Sequence, residues 1–179
     1  RQADEDSDGV SIAAAIDLNS GSISDLAGNP SNLGIPTLNF PLVLLDGTGP
    51  VITNVSIATG TYGIDNPIDI VVTYDENVTL SGLSSRIELF FTEMNSPTIF
   101  ADYLSGSGTT THTYRYNVAA SDADGDGVNL GTNIDLNGDT AAGDNGNPAV
   151  TLLATTFVPT VLVDGILPTV SITTTDIIN

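Results

Sequence analysis

The chain has 179 residues, of which 40% are hydrophobic, so it can bury one ordinary globular core and is not a disordered acidic tail. Three arginines, no lysine and 22 acidic residues give a net charge of −19, which repels nucleic acid and anionic membrane surfaces and favours cations as partners. With no cysteine and one histidine, the chain excludes disulfides and leaves little material for zinc sites or for serine–histidine catalysis.

The first fifty residues return later in the chain as an internal repeat. A shift of 118 positions, the difference between 4 and 122, places "DEDSDGVSIAAAIDLN" (4–19) over "DADGDGVNLGTNIDLN" (122–137) without a gap. The same shift aligns "GNP" (28–30) with 146–148, and "VLLDGTGP" (43–50) with "VLVDGILP" (161–168). We therefore predict the C-terminal half of a preceding unit at 1–50, a complete unit at 51–168 and the first strand of a following unit at 169–179.

The complete unit shows the two-residue periodicity of β-strands. Apolar and polar residues alternate in "IDIVVTY" (68–74), "RIELFF" (86–91) and "HTYRYNV" (112–118), and we also predict strands at 51–57, 99–104, 150–153 and 159–163. Residues 127–147 are rich in Gly, Asn and Asp, which predicts a long loop with short strand fragments. About seven short strands and no helical stripe predict an all-β fold, an Ig-like antiparallel β-sandwich repeated in tandem.

The loop after the fifth predicted strand carries the strongest ligand signal. Asp122, Asp124 and Asp126 alternate before Gly127, which is the spacing that opens a calcium-binding loop. An EF-hand would need Glu at the twelfth loop position, where Asn133 stands, so we expect a different calcium loop, with Asp135 as a late ligand. The first copy supplies the matching carboxylates Asp4, Asp6, Asp8 and Asp17. The alternative is a solvated acidic turn, since Asp and Gly are common turn residues.

Further acids lie where one predicted unit ends and the next begins. Asp46 and Asp164 each precede a Gly at the end of the last strand, and each serves either as a turn residue or as a further calcium ligand. Glu76 follows the second strand and either is solvated or faces the neighbouring unit. Because successive strands alternate in direction, the loop after the fifth strand and the end of the seventh should share one end of the unit. Ca²⁺ bound there would stiffen the joints between repeats.

The motifs together resemble a known class of proteins. "DGxxP" at the junctions, "TYDENVTL" (73–80), "DADGDGV" (122–128), "IDLNG" (134–138) and "GNP" (146–148) are similar to the bacterial Ig-like repeats of large calcium-dependent surface adhesins and fibre proteins. This resemblance implies a non-catalytic, calcium-stiffened spacer that is secreted or exposed on a bacterial surface. It also implies that the partners are neighbouring repeats of the same polypeptide and other copies in a fibre.

Two other functions compete with the spacer. A recognition module for carbohydrate or protein would use loops at the ends of the sandwich, but these are mainly Ser, Gly, Thr and Asp rather than aromatic. A hydrolase would need a catalytic constellation, and the sequence offers none beside sugar-stacking aromatics, since Trp is absent. No apolar run approaches the roughly 20 residues of a membrane helix, so direct membrane insertion is not expected.

Overall fold

The computed structural model describes residues 4–92 and 98–173. The chain divides into two compact units, Arg1–Thr48 and Gly49–Asn179. The strand predicted at 169–179 is not present in residues 169–173, and residues 174–179 lie outside the described part of the chain. None of the described segments is a helix of the length and apolarity needed to cross a membrane.

The first unit consists of two short β-ladders. β1 pairs with β4 and β2 pairs with β3, both antiparallel, and isolated bridges join Ala15 to Gly34 and Ser24 to Pro30. Within residues 4–48 the structure buries no apolar side chain. The strands are β1 (Glu5–Asp6), β2 (Val10–Ile12), β3 (Leu38–Phe40) and β4 (Leu45–Asp46).

The second unit is also built of strands, which confirms the all-β prediction. Its strands are β5 (Ile52–Ile57), β6 (Gly60–Gly63), β7 (Pro67–Leu80), β8 (Arg86–Phe90), β9 (Ile99–Ser105), β10 (Thr109–Asn117), β11 (Ala123–Asp124), β12 (Val128–Asp135), β13 (Ala141–Ala142), β14 (Phe157–Val158) and β15 (Val161–Asp164).

These strands form a large sheet and a small one. The large sheet has eight strands in the order β13-β7-β10-β9-β8-β12-β14, with β5 also paired to β7. The small sheet has the order β11-β15-β6. β6 and β15 run parallel, whereas every other named pairing is antiparallel, so the expected purely antiparallel arrangement is wrong at this point. Parallel strands cannot be joined by a tight turn, and here about a hundred residues of chain connect the two strands.

One hydrophobic core holds the second unit together. Along β7 the inward side chains Ile68, Ile70, Val72 and Tyr74 are buried, as the two-residue period predicts. Strands near both ends of the large sheet contribute to the same cluster, which requires the sheet to curl around it. Val161 and Val163 of β15 join that cluster, so the small sheet packs on the same core.

Two predictions about the second half of the unit are wrong. Residues 128–135, predicted within a loop, form the eight-residue strand β12, because Val128, Leu130 and Ile134 face the core and the strand bonds to β8. Residues 150–153, predicted as a strand, contribute only the isolated bridge between Asn133 and Leu152. Tertiary burial therefore overrides the weak β-propensity of the Gly and Asn residues in β12.

Candidate metal centre

The Asp122–Gly127 loop is positioned by strands that are distant in sequence. It follows β10, and its central residues form β11, which pairs with β15 so that Ala123 lies opposite Asp164. The N–H of Gly165 donates to the carbonyl of Asp122 at 2.7 Å, and the N–H of Ser121 donates to the carbonyl of Gly165 at 2.9 Å. The loop is therefore bound to the segment that leaves the unit after β15.

Asp122 is a buried carboxylate that organises the start of the loop. One of its oxygens, Oδ2, accepts hydrogen bonds from the hydroxyl of Tyr116 at 2.6 Å and from the N–H of Ala119 at 2.7 Å. Burial and the Asp122 carboxylate together raise the pKa of Tyr116, so the phenol keeps its proton and acts as a donor. The Asp122 carboxylate therefore has a structural role of its own in closing this turn.

Asp124 is fully buried, and its two oxygens accept backbone N–H groups. Oδ1 accepts from Gly127 at 2.8 Å and Oδ2 accepts from Thr92 at 2.9 Å. Burial raises the pKa of Asp124, and a side-chain hydrogen bond with Asp126 raises it further, against the lowering effect of the two N–H donors. Asp126 is exposed, and its Oδ1 accepts from the Thr92 hydroxyl at 2.8 Å.

The three alternating carboxylates therefore do not share one set of hydrogen-bond partners. Asp122 bonds to Tyr116 and Ala119, while Asp124 and Asp126 both accept hydrogen bonds from Thr92. In residues 4–92 and 98–173, no three acidic or histidine side chains gather as a metal-binding group. Asp124 and Asp126, which share the donor Thr92, are the part of the predicted loop that retains ligand character.

The structure does not bring Asp135 to this loop. Asp135 ends β12, which begins at Val128, and an extended strand of 8 residues spans roughly 20 Å. Its carboxylate instead accepts from the Arg86 guanidinium at 2.9 Å and from the N–H of Asn137, and these bonds lower the pKa of Asp135. The predicted late ligand is therefore part of an ion pair at the far end of the strand.

Asp164 lies beside the loop, but its side chain caps its own turn. Its Oδ1 accepts from the N–H of Ile166 at 3.2 Å. Asp75 and Glu76 lie away from this loop, because Asp75 accepts the N–H of Val51 at the start of β5, whereas the end of β10 pairs with Pro67. The Asp122 loop and Asp164 thus share one end of the unit. The prediction that Glu76 follows the second strand is wrong, because β7 continues through Glu76 to Leu80, where it pairs with β13.

The first unit repeats the loop in its own residues. Asp6, equivalent to Asp124, accepts the N–H of Gly9 at 2.7 Å, just as Asp124 accepts that of Gly127. Both glycines have left-handed backbones, with φ of 105° and 117°, and a Cβ at either would collide with the backbone of a proline across the turn. This turn explains why both copies carry Gly at this position.

The other predicted ligands of the first unit lie in or beside its short ladders. Asp4 has its backbone against Gly47, as Asp122 has against Gly165. The N–H of Asp8 bonds to Asp6, Asp17 accepts the N–H of Asn19, and Asp46 accepts the N–H and hydroxyl of Thr48. Asp17 is separated from the Asp6 turn by β2 and the four residues that follow it, at the position equivalent to Asp135.

Sequence reasoning missed two partners of the loop. Thr92 donates to both Asp124 and Asp126, although it lies more than thirty positions earlier in the chain, and no local pattern marks it. Tyr116 was predicted only as a member of an alternating strand, and that alternation does place its ring near the start of the loop. Both contacts are set by the meeting of strands rather than by the motif.

Comparisons with known proteins return no relative for this chain: no family model, no curated protein and no solved structure matches it.

Proposed function

We propose that this chain belongs to a tandem array of structural β-modules that extends a bacterial surface fibre or adhesin stalk. The observation that carries the proposal is the recurrence of ladder register at the 118-residue spacing. Glu5 pairs with Asp46 as Ala123 pairs with Asp164, and Val10 pairs with Phe40 as Val128 pairs with Val158. A unit that recurs in structure as well as in sequence is typical of proteins whose repeats stack along one dimension.

The proposed arrangement of each complete unit is an Ig-like sandwich. The large curled sheet and the three-stranded β11-β15-β6 sheet share one core, to which Val161 and Val163 contribute. The sequence motifs resemble those of Ig-like repeats in secreted and surface-exposed bacterial proteins. A chain with no cysteine and a net charge of −19 is compatible with a hydrated surface stalk that needs no disulfides.

Calcium enters the proposal through Asp124 and Asp126. Asp124 and Asp126 both accept hydrogen bonds from Thr92, so two acidic side chains lie beside one residue, where a bound cation would offset the repulsion between their charges. Their oxygens are the hard ligands that calcium prefers, and backbone carbonyls and water would complete its coordination. Because the loop is hydrogen-bonded to Gly165, an ion held there would restrain the segment that leads out of the unit.

The alternative function as a recognition module has less support. A surface groove of about 280 Å³ is lined by Glu88, Phe100 and Asp135, among others. A sugar would stack on the aromatic ring, but the Arg86 guanidinium already lies over it, 3.9 Å from the ring centroid. Arg86 is held in turn by Asp135.

The proposal is tested by solution scattering on a chain of two complete repeats. With calcium in place of chelator, the maximum dimension should increase and the distance distribution should narrow. Calorimetry should show binding that the Asp126→Asn variant weakens, with Asp102→Asn, an exposed aspartate on β9, as the control of equal charge. Calcium at a hundredfold excess over its Kd should add about 2.7 kcal/mol to the stability of the unit.

The outcomes separate the two parts of the proposal. Superimposable scattering profiles with and without calcium would reject stiffening at the joints. An unchanged melt together with no calorimetric signal would reject calcium binding by this loop.

A further inference from the structure

The first unit exposes the apolar face that the second unit buries. Ile16 is 49% exposed and Leu45 is 46% exposed, whereas their equivalents Ile134 and Val163 are 3% and 4% exposed. The ladders around these residues nevertheless match in both copies, except that the Ile12–Leu38 pair has no counterpart in the ladder of β12 with β14. The Ala15–Gly34 bridge, for example, matches the Asn133–Leu152 bridge. The first unit therefore has the backbone pairing of a half-repeat, and no further strand among the described residues pairs with it.

The second unit shows which strands cover this face. β12 pairs with β8, where Leu130 lies opposite Leu89 and Asp135 lies opposite Arg86. β15 pairs with β6 in parallel register. Their equivalents in the first unit, β2 and β4, pair only with β3 and β1 among the described residues. The edges of β2 and β4 that correspond to these two pairings are therefore the ones that β8 and β6 occupy in the complete unit.

A groove in the first unit lies where the complete unit holds Thr92. The groove is about 460 Å³ and is lined by Glu5, Asp6, Ser7, Leu45, Asp46 and Thr48. The equivalent of Asp6 is Asp124, which is buried and accepts the N–H of Thr92. The acidic lining therefore suits a strand end that supplies N–H and hydroxyl donors.

We propose that residues 4–48 are an acceptor surface for a further first-half segment, a polypeptide with the strand pattern of residues 51–118. The segment would add one strand antiparallel to β2 and one strand parallel to β4. The strand beside β2 would lie in the register that places the equivalent of Arg86 opposite Asp17. Its equivalent of Thr92 would donate to Asp6. The inference rests on the proposed repeat function and specifies the partner of its incomplete unit.

A second copy of the whole chain is a poor donor of this segment. The apolar face of 51–118 is already buried against β12 and β15. To cover the first unit of another chain, a copy would have to withdraw residues 51–118 from its own core. This would expose as much apolar surface as it buries.

Position 13 provides a specificity signal. Its equivalent is Gly131, and a Cβ at Gly131 would lie 3.1 Å from Cβ of Glu88 on the neighbouring strand. Ala13 carries such a Cβ, so a partner strand with Glu at that position must shift by a few tenths of an ångström. An Ala13→Gly variant should therefore bind a segment carrying Glu88 more tightly than the parent chain does.

The test is disulfide cross-linking between introduced cysteines, which is specific because the chain has no cysteine of its own. Full-length chain carrying Asp17→Cys is mixed under oxidising conditions with a separate 49–118 segment carrying Arg86→Cys. The two positions are directly opposite in the proposed ladder, within reach of a disulfide. The disulfide should form at least tenfold faster than with the matched control Ser22→Cys, which is exposed and off this ladder. Adding Ala13→Gly should increase the rate at a limiting segment concentration.

A second arm covers a segment that does not stay in solution alone. The same 49–118 segment is joined directly to Arg1, which reproduces the spacing of residues 118 and 119. Exchange of the Ile16 and Ile35 amides should slow at least tenfold relative to the parent chain. Equal cross-linking at positions 17 and 22, or unchanged exchange in the joined chain, would overturn the proposal.

Faster cross-linking to full-length Arg86→Cys chain than to the segment would also overturn it, because the occupant would then be a second copy. These readouts report strand register and need no calcium. They therefore fail independently of the scattering test of the proposed function.

Discussion

Residues 4–48 and 122–166 share one backbone pattern, and they differ in what covers it. Both contain the Asp–Gly turn, the same two ladders and the same isolated bridges. The second copy buries Val128, Leu130 and Ile134, whereas the first buries no apolar side chain among residues 4–48. The comparison shows that local turns and short ladders specify the backbone pairing, while burial depends on strands from 51–118.

The largest difference in stability is expected when the two equivalent isoleucines are each replaced by alanine. Ile134→Ala should cost about 2–5 kcal/mol, because it leaves a cavity in the core. Ile16→Ala, the same change at an exposed position, should alter stability by less than about 0.5 kcal/mol. Urea unfolding of the full chain checks both. A similar loss from the two variants would mean that the first unit has a core of its own.

The Asp–Gly turn gives a smaller contrast. Asp124→Ala should cost about 2 kcal/mol, because it leaves the N–H groups of Thr92 and Gly127 without their buried acceptor. Asp6→Ala should cost less than half of that, since the turn of Asp6 is more exposed. Asp124→Asn keeps one oxygen and should lie between wild type and alanine. Thermal melts of the three variants test this order, and equal losses at positions 6 and 124 would contradict it.

A pH effect should be confined to the second unit, which holds the one histidine. His112 is buried between Tyr74 and Tyr103, Nε2 bonds to the Val78 carbonyl, and Nδ1 has no hydrogen-bond partner among the described residues. Burial lowers the pKa of His112, so below about pH 6.5 the unfolded state binds a proton that the folded state resists. Stability should therefore fall with pH from about 6.5 downward, by at most about 1.4 kcal/mol per pH unit.

The His112→Phe variant isolates this effect from the carboxylates. Asp124 acts in the opposite direction, because burial raises its pKa and protonation favours the folded state as pH falls towards that value. The difference between wild type and His112→Phe removes the contribution of Asp124, which is present in both. Urea unfolding at pH 7.5, 6.5 and 5.5 measures this difference, and parallel pH profiles would show that His112 does not titrate as inferred.

The smallest contrast is the ion pair at the end of β12. Asp135→Asn should cost less than about 1 kcal/mol, because the pair with Arg86 is partly exposed and screened. Asp17→Asn should have no resolvable effect in the parent chain. It should acquire an effect like that of Asp135→Asn only when a 49–118 segment is joined to Arg1. Chemical denaturation of both backgrounds tests this, and a measurable effect of Asp17→Asn in the parent chain would contradict it.

The sequence by itself determined the repeat, the all-β class and the positions of the two Asp–Gly turns. Period-two alternation located most of β7, β8 and β10, since alternate side chains face opposite sides of a strand. The recurrence of Asp and Gly located both copies of the loop, because the left-handed turn at Gly9 and Gly127 is a local property.

Only the tertiary structure decided which of these features are buried and which partners they meet. β12 is a strand because β8 and the core lie beside it, although its Gly and Asn residues favour a loop. Asp124 meets Thr92 across more than thirty residues, and Asp135 meets Arg86 rather than the loop. These contacts arise from the pairing of distant strands, so the alternating-acid motif could locate the carboxylates but could not determine whether three of them converge.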